Sequence, residues 1–396
     1  MRDLVVLVAE RGQTFVLVSP VLVLPQEIEK DTAVLDLPLP NAALLDRALS
    51  VVASKQRVQL QDDVKEKAVR AALGLTLDQA QRIFRKVMLL RDGLEDEDLA
   101  LVVEEKRRIL GQNDAIEFCA LRDGLRDVGG LGELKRWLRD RARAFGADAK
   151  QFGLPPPKGL LLLGVQGCGK SLSAKAVAEL WKFPLLRLDL SAVFGAVASS
   201  PEATIRSAIK ISESLAPVVL WVDEIEKGFS QVEGDEQGSR VFGSFLTWLA
   251  EKRAEVFVVA TANNVRGLPP ELLRRGRFDE VFFVDLPNAH ERLEVLKIHL
   301  AKRGRDPDQF PSLKEISVAS EHYSGAELEQ VIISGLYRAF SAHRELVAED
   351  LQVALRETVP LYATYEERIK ELRDWAKRRA RPATLDSSVL DLFGRA

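Results

Sequence analysis

The chain has 396 residues, enough for two or three domains, and its 46% hydrophobic and 29% charged residues are those of an ordinary soluble globular protein. A net charge of -3 excludes a global pull toward nucleic acid or an anionic membrane, and no apolar run reaches the length of a membrane span. Cys119 and Cys168 are too few for a disulfide framework and point to a reducing compartment; the apolar start lacks a small-residue cleavage site, so the expected location is the cytoplasm.

The first 120 residues read as a separate region, and they echo a later part of the chain. LVAERGQTFVLV (Leu7 to Val18) parallels WLAEKRAEVFVVA (Trp248 to Ala260). LPQE at Leu24 to Glu27 parallels LPPE at Leu268 to Glu271, and DLP at Asp36 to Pro38 parallels DLP at Asp285 to Pro287. TLDQAQRIF (Thr76 to Phe84) resembles SGAELEQVII (Ser324 to Ile333), and EDLALVVEE (Glu97 to Glu105) resembles EDLQVALRE (Glu349 to Glu357). The interval from Pro38 to Thr76 is 38 positions, and from Pro287 to Ser324 it is 37. Phe15 to Pro38 is shorter than Phe257 to Pro287 by seven, where the later copy carries RRGRF. The first copy is therefore expected to be the back half of the later module, lacking its front half and its arginines. Such an open half-sheet would expose a strand edge, to be covered by another subunit or by docking on the rest of the chain.

Next comes an Arg- and Leu-rich helical pattern from about Leu131 to Phe145, then a Pro-rich link from Leu154 to Lys158. An apolar strand (Gly159 to Leu163), a glycine loop and a helix from about Lys170 to Trp181 follow. Further apolar strands recur at Pro184 to Leu190, Val218 to Val222, Val256 to Ala260 and Val281 to Val284. Apolar strands alternating with helices indicate a parallel sheet of the α/β class. From Ala289 to about Val359 the pattern is wholly helical, which predicts a small helical subdomain. Tyr365 to Arg379 reads as a charged helix before a Pro-containing tail. Its Arg368, Lys370, Arg373, Lys377, Arg378 and Arg379, with Arg381 beyond, are interleaved with Glu366, Glu367, Glu371 and Asp374. That mixture favours a solvated or subunit-bridging helix over a nucleic-acid arm, and the scattered Trp and Tyr residues form no stacking platform.

Gly164-Val165-Gln166-Gly167-Cys168-Gly169-Lys170-Ser171 fits G-x-x-x-x-G-K-[ST] between a predicted strand and a predicted helix. Glycines let backbone N–H groups turn inward on an anion, and the helix adds its positive end. Lys170 would reach the β- and γ-phosphates of ATP, and the Ser171 hydroxyl would bind Mg²⁺. Val218 to Glu224 (VVLWVDE) is an apolar strand ending in two acids about 50 residues later. Asp223 could hold Mg²⁺ through water, and Glu224 could polarise the attacking water. Cys168, near a helix N-terminus, is expected to have a lowered thiol pKa, which raises the possibility of redox gating beside the plainer one of a tolerated small residue.

With these motifs in place, the chain resembles AAA-family ATPases over about Asp127 to Pro360. Asp127-Val128-Gly129-Gly130 looks like the family segment that contacts adenine, and Val259 to Asn263 like the strand carrying the sensor asparagine, so Asn263 would help hold the attacking water. Leu272 to Asp279 (LLRRGRFD) looks like the arginine-finger segment, which implies that Arg274 and Arg277 reach the γ-phosphate in a neighbouring subunit. His299 matches a position near the ribose, and Gly325-Ala326 match lid residues near the nucleotide. The resemblance implies a nucleotide set of Asp127, Val128, Gly129, Gln166, Gly167, Cys168, Gly169, Lys170, Ser171, Leu172, His299, Gly325 and Ala326, a metal pair of Ser171 and Asp223, and a homo-oligomer, hexameric in the family, as ring or spiral. The stretches FGLPPPKGLLLLGVQGCGKS and ATANNVRGLPPELLRRGRFDE are most like the stand-alone AAA ATPases of cyanobacteria and algal chloroplasts.

The implied architecture is an AAA+ P-loop NTPase: a partial, degenerate AAA-like region at 1–121, an ATPase core at 122–288, a helical lid at 289–360 and a charged helix with tail at 361–396. Where many family members thread polypeptide with an aromatic-hydrophobic-glycine loop, this chain has Val197-Ala198-Ser199, with Phe194-Gly195 upstream as a possible substitute. Gly234 to Arg240 (GDEQGSR) is expected to be a mobile loop facing the pore. Three functions are therefore in view: a remodeller of a protein partner, a low-turnover ATP-dependent assembly switch, and, on the basic tail alone, a nucleic-acid motor.

Overall fold

The computed structural model describes residues 10–17, 39–91, 93–95, 98–110, 115–119, 124–195, 200–230, 236–274 and 276–384, together with positions 7, 28, 32, 33 and 35. Four helices open it: α1 (Ala42–Gln56), α2 (Asp62–Ala72), α3 (Leu77–Arg91) and α4 (Leu99–Leu110). Leu45, Leu49, Val52 and Ala53 recur at helical spacing on one face of α1. They close a core of their own with Val64, Ala68, Ile83, Phe84, Val87 and Met88. A β-carbon on Gly74, in the turn after α2, would stand 2.2 Å from the Ser214 carbonyl oxygen. The bundle thus rests directly on the domain that follows.

That domain is built on a seven-stranded sheet. In chain order its elements are β1 (Ile116–Cys119), α5 (Gly132–Arg141), α6 (Ala147–Gln151), β2 (Gly159–Gly164), α7 (Lys170–Trp181), β3 (Leu185–Leu188), α8 (Leu190–Gly195), α9 (Pro201–Ser214), β4 (Val218–Val222), α10 (Ile225–Ser230), α11 (Glu236–Glu251), β5 (Val256–Ala262) and β6 (Glu280–Val284). The spatial order is β1-β3-β4-β5-β2-β6-β7, where β7 (Arg381–Pro382) returns from the C-terminal region. The five central strands are parallel, and β7 is parallel to β6, but β1 runs antiparallel to β3. Strand residues alternate between two cores: Leu161 and Leu163 of β2 face one layer, Leu160 and Leu162 the other. The second layer is closed by α5 and α7, whose Ala174, Ala176 and Ala178 let the helix lie close to the sheet. Short strands β1 and β7 cap both sheet edges, which leaves little open ladder for unwanted pairing.

After the sheet come α12 (Ala289–Lys302), α13 (Leu313–Ala319), α14 (Gly325–Ser341) and α15 (Ala348–Glu357), with a separate core around Leu296, Leu300, Leu328, Val331 and Leu351. Their caps match those of the first bundle. Asn41 Oδ1 accepts from Leu44 N–H at 3.0 Å, and Asn288 Oδ1 accepts from Glu291 N–H at 3.0 Å. Thr76 and Gln79 cap each other reciprocally at the start of α3, as Ser324 and Glu327 do at the start of α14. Asp98 accepts from Glu95 N–H and Asp350 from Val347 N–H, and each also pairs with an arginine, Arg91 or Arg344.

These caps correct the register read from the sequence. Leu39-Pro40-Asn41-Ala42 lies opposite Leu286-Pro287-Asn288-Ala289, so Pro40 and not Pro38 is the counterpart of Pro287. The half-sheet implied by the repeat has no strand at Phe15: residues 13–17 have no regular structure, and Phe15, Val16 and Leu17 are exposed. Leu24 to Glu27 and Asp36 to Pro38 lie outside the described residues. What the two copies visibly share is four helices.

Other boundaries moved as well. The helix expected to reach Phe145 ends at Arg141, and Glu236 to Arg240, read as a loop, form the first turn of α11; Gly234 and Asp235 lie outside the described residues. The charged helix starts earlier, as α16 (Leu361–Ala376) with a kink at Tyr365, and it is not solvated all round, since Ile369, Leu372 and Ala376 are buried. Its Leu372 and Ala376 enter the sheet core, Glu371 pairs with Arg266 at 2.6 Å, and Leu361 N–H reaches Glu327 Oε1 at 2.5 Å. It ties the helical subdomain to the sheet of the same chain.

Candidate active site

β2 is flanked by β5 and β6, and the glycine loop leaves its C-terminal end between them. Crevices at the carboxyl ends of parallel strands, where connections diverge to either side, are where such sheets bind ligands. Gly164 sits at φ 157°, and a β-carbon there would lie 1.9 Å from the Val284 carbonyl oxygen, so the turn tolerates only glycine. The loop then runs into α7 at Lys170. The Lys170 ammonium is buried and donates to the carbonyls of Gly164 at 2.9 Å and Val165 at 2.6 Å. Burial pushes its pKa down to about 8, against the pull of nearby Glu226, Asp223 and Glu224.

Opposite Lys170 stand the ends of β4 and β5. Ser171 Oγ donates to Asp223 Oδ1 at 3.0 Å, and Thr261 Oγ1 donates to the same oxygen at 2.6 Å while accepting from Glu224 N–H at 2.9 Å. Glu224 adopts φ 48°, a left-handed conformation uncommon for a non-glycine residue and costing on the order of 1–3 kcal/mol. Its Oε1 accepts from Asn263 Nδ2 at 2.9 Å, and its Oε2 pairs with Lys227. Gln166, Gly167, Gly169, Lys170, Ser171, Leu172, Asp223, Glu224, Thr261 and Asn263 line one polar cavity.

A second, more apolar cavity of about 180 Å³ adjoins it and shares Gly167, Gly169 and Leu172. Asp127, Val128, Gly129, Cys168, His299, Gly325 and Ala326 line it, so every residue of the expected nucleotide set borders one of the two cavities. Against the cost of its partial burial, the Gly124 N–H and the Lys302 ammonium hold the Asp127 carboxyl below its ordinary range. His299 Nδ1 lies 3.4 Å from Glu329, and burial pushes the imidazole below its ordinary pKa against the pull of that carboxylate. The helical subdomain closes on the loop directly, because Ala326 N–H donates to the Gly167 carbonyl at 3.0 Å.

Several of the expectations need correction. Burial raises the Cys168 thiol to about 12 and outweighs the helix end, so the thiolate needed for redox gating is scarce. Phe194 cannot stand in for a pore aromatic: its ring stacks on Phe242 at 5.7 Å against the sheet core. Val197-Ala198-Ser199 lies outside the described residues. Arg274 and Arg277 border neither cavity of their own chain, and Arg277 Nη1 is buried without a partner. The segment that carries them is latched to the start of β2, where Asp279 accepts from Lys158 N–H at 2.7 Å and Lys158 Nζ donates to the Gly276 carbonyl at 2.8 Å.

Sequence reasoning missed Thr261, Glu226, Asp285 and Glu291. Thr261 stands two residues before the sensor candidate, and Asn288-x-x-Glu291 is a legible capping box; both could have been found. Glu291 Oε1 also accepts from Leu131 N–H at 2.9 Å, which fixes the segment after Gly129-Gly130. Asp285 at the end of β6 is gripped by Arg373 Nε at 2.8 Å, a partner 88 residues away that no local pattern reveals.

Comparison with known proteins adds to this geometry. Residues 160–286 match the family "ATPase family associated with various cellular activities (AAA)", and residues 42–113 match the second domain of SpoVK-like AAA ATPases. The chain is 40% identical to the AAA domain-containing protein ycf46 of Pyropia yezoensis over 97% of its own length and 79% of that protein's. It is 39% identical to that of Guillardia theta, over 95% and 75% respectively. It is also 31% identical to the proteasome-activating nucleotidase of Aeropyrum pernix, over 59% of each chain.

Proposed function

The chain belongs to the AAA ATPase family, and from that membership we propose that it is a Mg²⁺-dependent ATPase that works as a homo-oligomer and remodels a protein partner. The observation that carries the reading is the meeting of Lys170, Ser171, Asp223, Glu224 and Asn263 in one polar cavity at the end of β2. In this reading Lys170 exchanges its two loop carbonyls for the β- and γ-phosphates of ATP. Asn263 and Glu224 orient and deprotonate the attacking water, and their 2.9 Å contact sets them side by side for that task.

Ser171 and Asp223 would hold Mg²⁺. Two hard oxygen ligands 3.0 Å apart fit an ion that keeps most of its shell as water and substrate phosphate, and it would neutralise charge on the phosphates. Arg274 and Arg277, which border neither cavity of their own chain, would complete that of a neighbour in a ring or spiral, most simply a hexamer.

Residues 1–121 are read as a degenerate partial AAA module, 122–288 as the ATPase core, 289–360 as the lid and 361–396 as a charged helix and tail, of which the helix α16 joins core and lid. Similarity to proteasome-activating nucleotidases favours protein remodelling over a nucleic-acid motor. No described helix is long and apolar enough to cross a membrane, and the proposed setting is the cytoplasm. Phosphate release measured with ATP and Mg²⁺ tests the reading. Wild type should turn over, and Glu224→Gln should bind ATP normally while losing at least about 100-fold in rate. Wild type with no turnover but nucleotide-dependent assembly would favour the low-turnover switch instead.

A further inference from the structure

Glu226 lies one turn of chain beyond the acids Asp223 and Glu224, and it is 7% exposed. β5 is paired with β2 only as far as Ala262, and with β4 only as far as Ala260. The next N–H, that of Asn263, therefore has no strand partner. Glu226 Oε1 takes it at 2.8 Å. The same Asn263 sends its side-chain Nδ2 to Glu224 Oε1 at 2.9 Å. The backbone of the sensor candidate is thus pinned by one acid and its side chain meets another. The pin is confined on its far side too, since a β-carbon on Gly267 would lie 3.3 Å from Glu226 Cβ. The second carboxylate oxygen, Oε2, is buried with no partner. A buried carboxyl with an unpaired oxygen is destabilising by itself. A side chain kept for packing alone would be apolar there.

We propose that Glu226 is a positioning residue for ATP hydrolysis: its Oε1 fixes the Asn263 peptide, and through it the approach of the Asn263 amide to Glu224 and the attacking water. The inference rests on the ATPase reading above. Burial raises the Glu226 pKa, with Glu224 adding to the rise, so a neutral carboxyl is tolerated; one oxygen acceptor suffices for the pin. Glutamine, which keeps that acceptor without charge, should therefore substitute well, and leucine, which fills the space without an acceptor, should not.

The experiment compares full-length wild type, Glu226→Gln, Glu226→Leu, Asn263→Ala and the double variant Glu226→Leu/Asn263→Ala, with ATP and Mg²⁺ as probes. Glu226→Leu should lower kcat by about 10- to 100-fold, the range expected for a misplaced catalytic group, while ATP affinity stays within about threefold. Glu226→Gln should stay within about threefold of wild type in kcat. The double variant should be no slower than Asn263→Ala alone, because the two act through one group. Full kcat in Glu226→Leu would overturn the proposal; so would equal losses in the Gln and Leu variants, or additive losses in the double variant. If Glu226→Leu does not fold, the Gln variant together with Asn263→Ala still decides: a Gln variant as slow as Asn263→Ala overturns it. Wild type without turnover would instead defeat the ATPase reading, so the two failures are distinct.

Discussion

In the proposed role, Lys170 would be poised for phosphate before phosphate arrives. Its ammonium is nearly enclosed by the loop and held by two carbonyls, and burial brings it down to about 8 from 10.5. The sign follows from proton counting. Between those values the unfolded chain keeps a proton that the folded chain has released, so burying this lysine lowers stability fully below pH 8, and the penalty fades as pH rises toward 10.5. Phosphate prefers the charged form. Binding of a non-hydrolysable ATP analogue should therefore be flat up to about pH 7.5 and weaken above pH 8 by up to about tenfold per pH unit. A dissociation constant that stays level from pH 7 to 9.5 at fixed ionic strength would contradict this account. Cys168 next door shows the opposite balance from the one its position implied. A helix end lowers a thiol pKa and desolvation raises it, and at Cys168, half-buried in the wall of the apolar cavity, desolvation is the larger effect.

Among the elements, the caps are the most informative. Asn41 and Asn288, Thr76 and Ser324, Asp98 and Asp350 occupy equivalent places in two four-helix bundles, although few of the core residues are identical. A cap must satisfy a particular orphan N–H, so it is constrained atom by atom, whereas core positions need only volume and apolarity. Thr76→Ala and Ser324→Ala should each cost about 1 kcal/mol in chemical denaturation, the former in the first bundle and the latter in the second. Loss of both in a single common transition would mean that the bundles unfold together. Much of this level was legible: α7 begins at Lys170 and β4 spans Val218–Val222 as the pattern indicated. β1 and β7 were not legible, because strands of four and two residues carry no period and exist only through the edges of β3 and β6.

For the whole molecule, the decisive feature is that the cleft is lined by segments scattered from Asp127 to Glu329 yet leaves its candidate arginines outside. The helical subdomain touches the glycine loop through Ala326, α16 grips Asp285 through Arg373, and Thr384 reaches Glu291 at 2.7 Å. Helical subdomain, loop and α16 are thereby one connected assembly. The arginine arrangement makes a sharp prediction. Arg277→Ala alone should bind ATP and hydrolyse it at least about 100-fold more slowly, and Glu224→Gln alone should be equally slow. Mixing the two should restore measurable turnover, because an Arg277→Ala subunit can use the intact arginine of a Glu224→Gln neighbour. A mixture as inactive as its parts would remove the shared-site reading.

By itself the amino-acid sequence determined the α/β class, the phosphate loop and the paired acids, because those depend on spacing within one strand–loop–helix unit and on residue chemistry alone. Tertiary structure decided the rest. It set the direction in which the Lys170 and Cys168 pKa values move, since desolvation depends on everything packed around a group. It determined that the first copy shares four helices with the second. It brought Thr261, Glu226 and Arg373 to the site, since strand ends and a returning helix meet there only once the sheet is assembled in its crossed order.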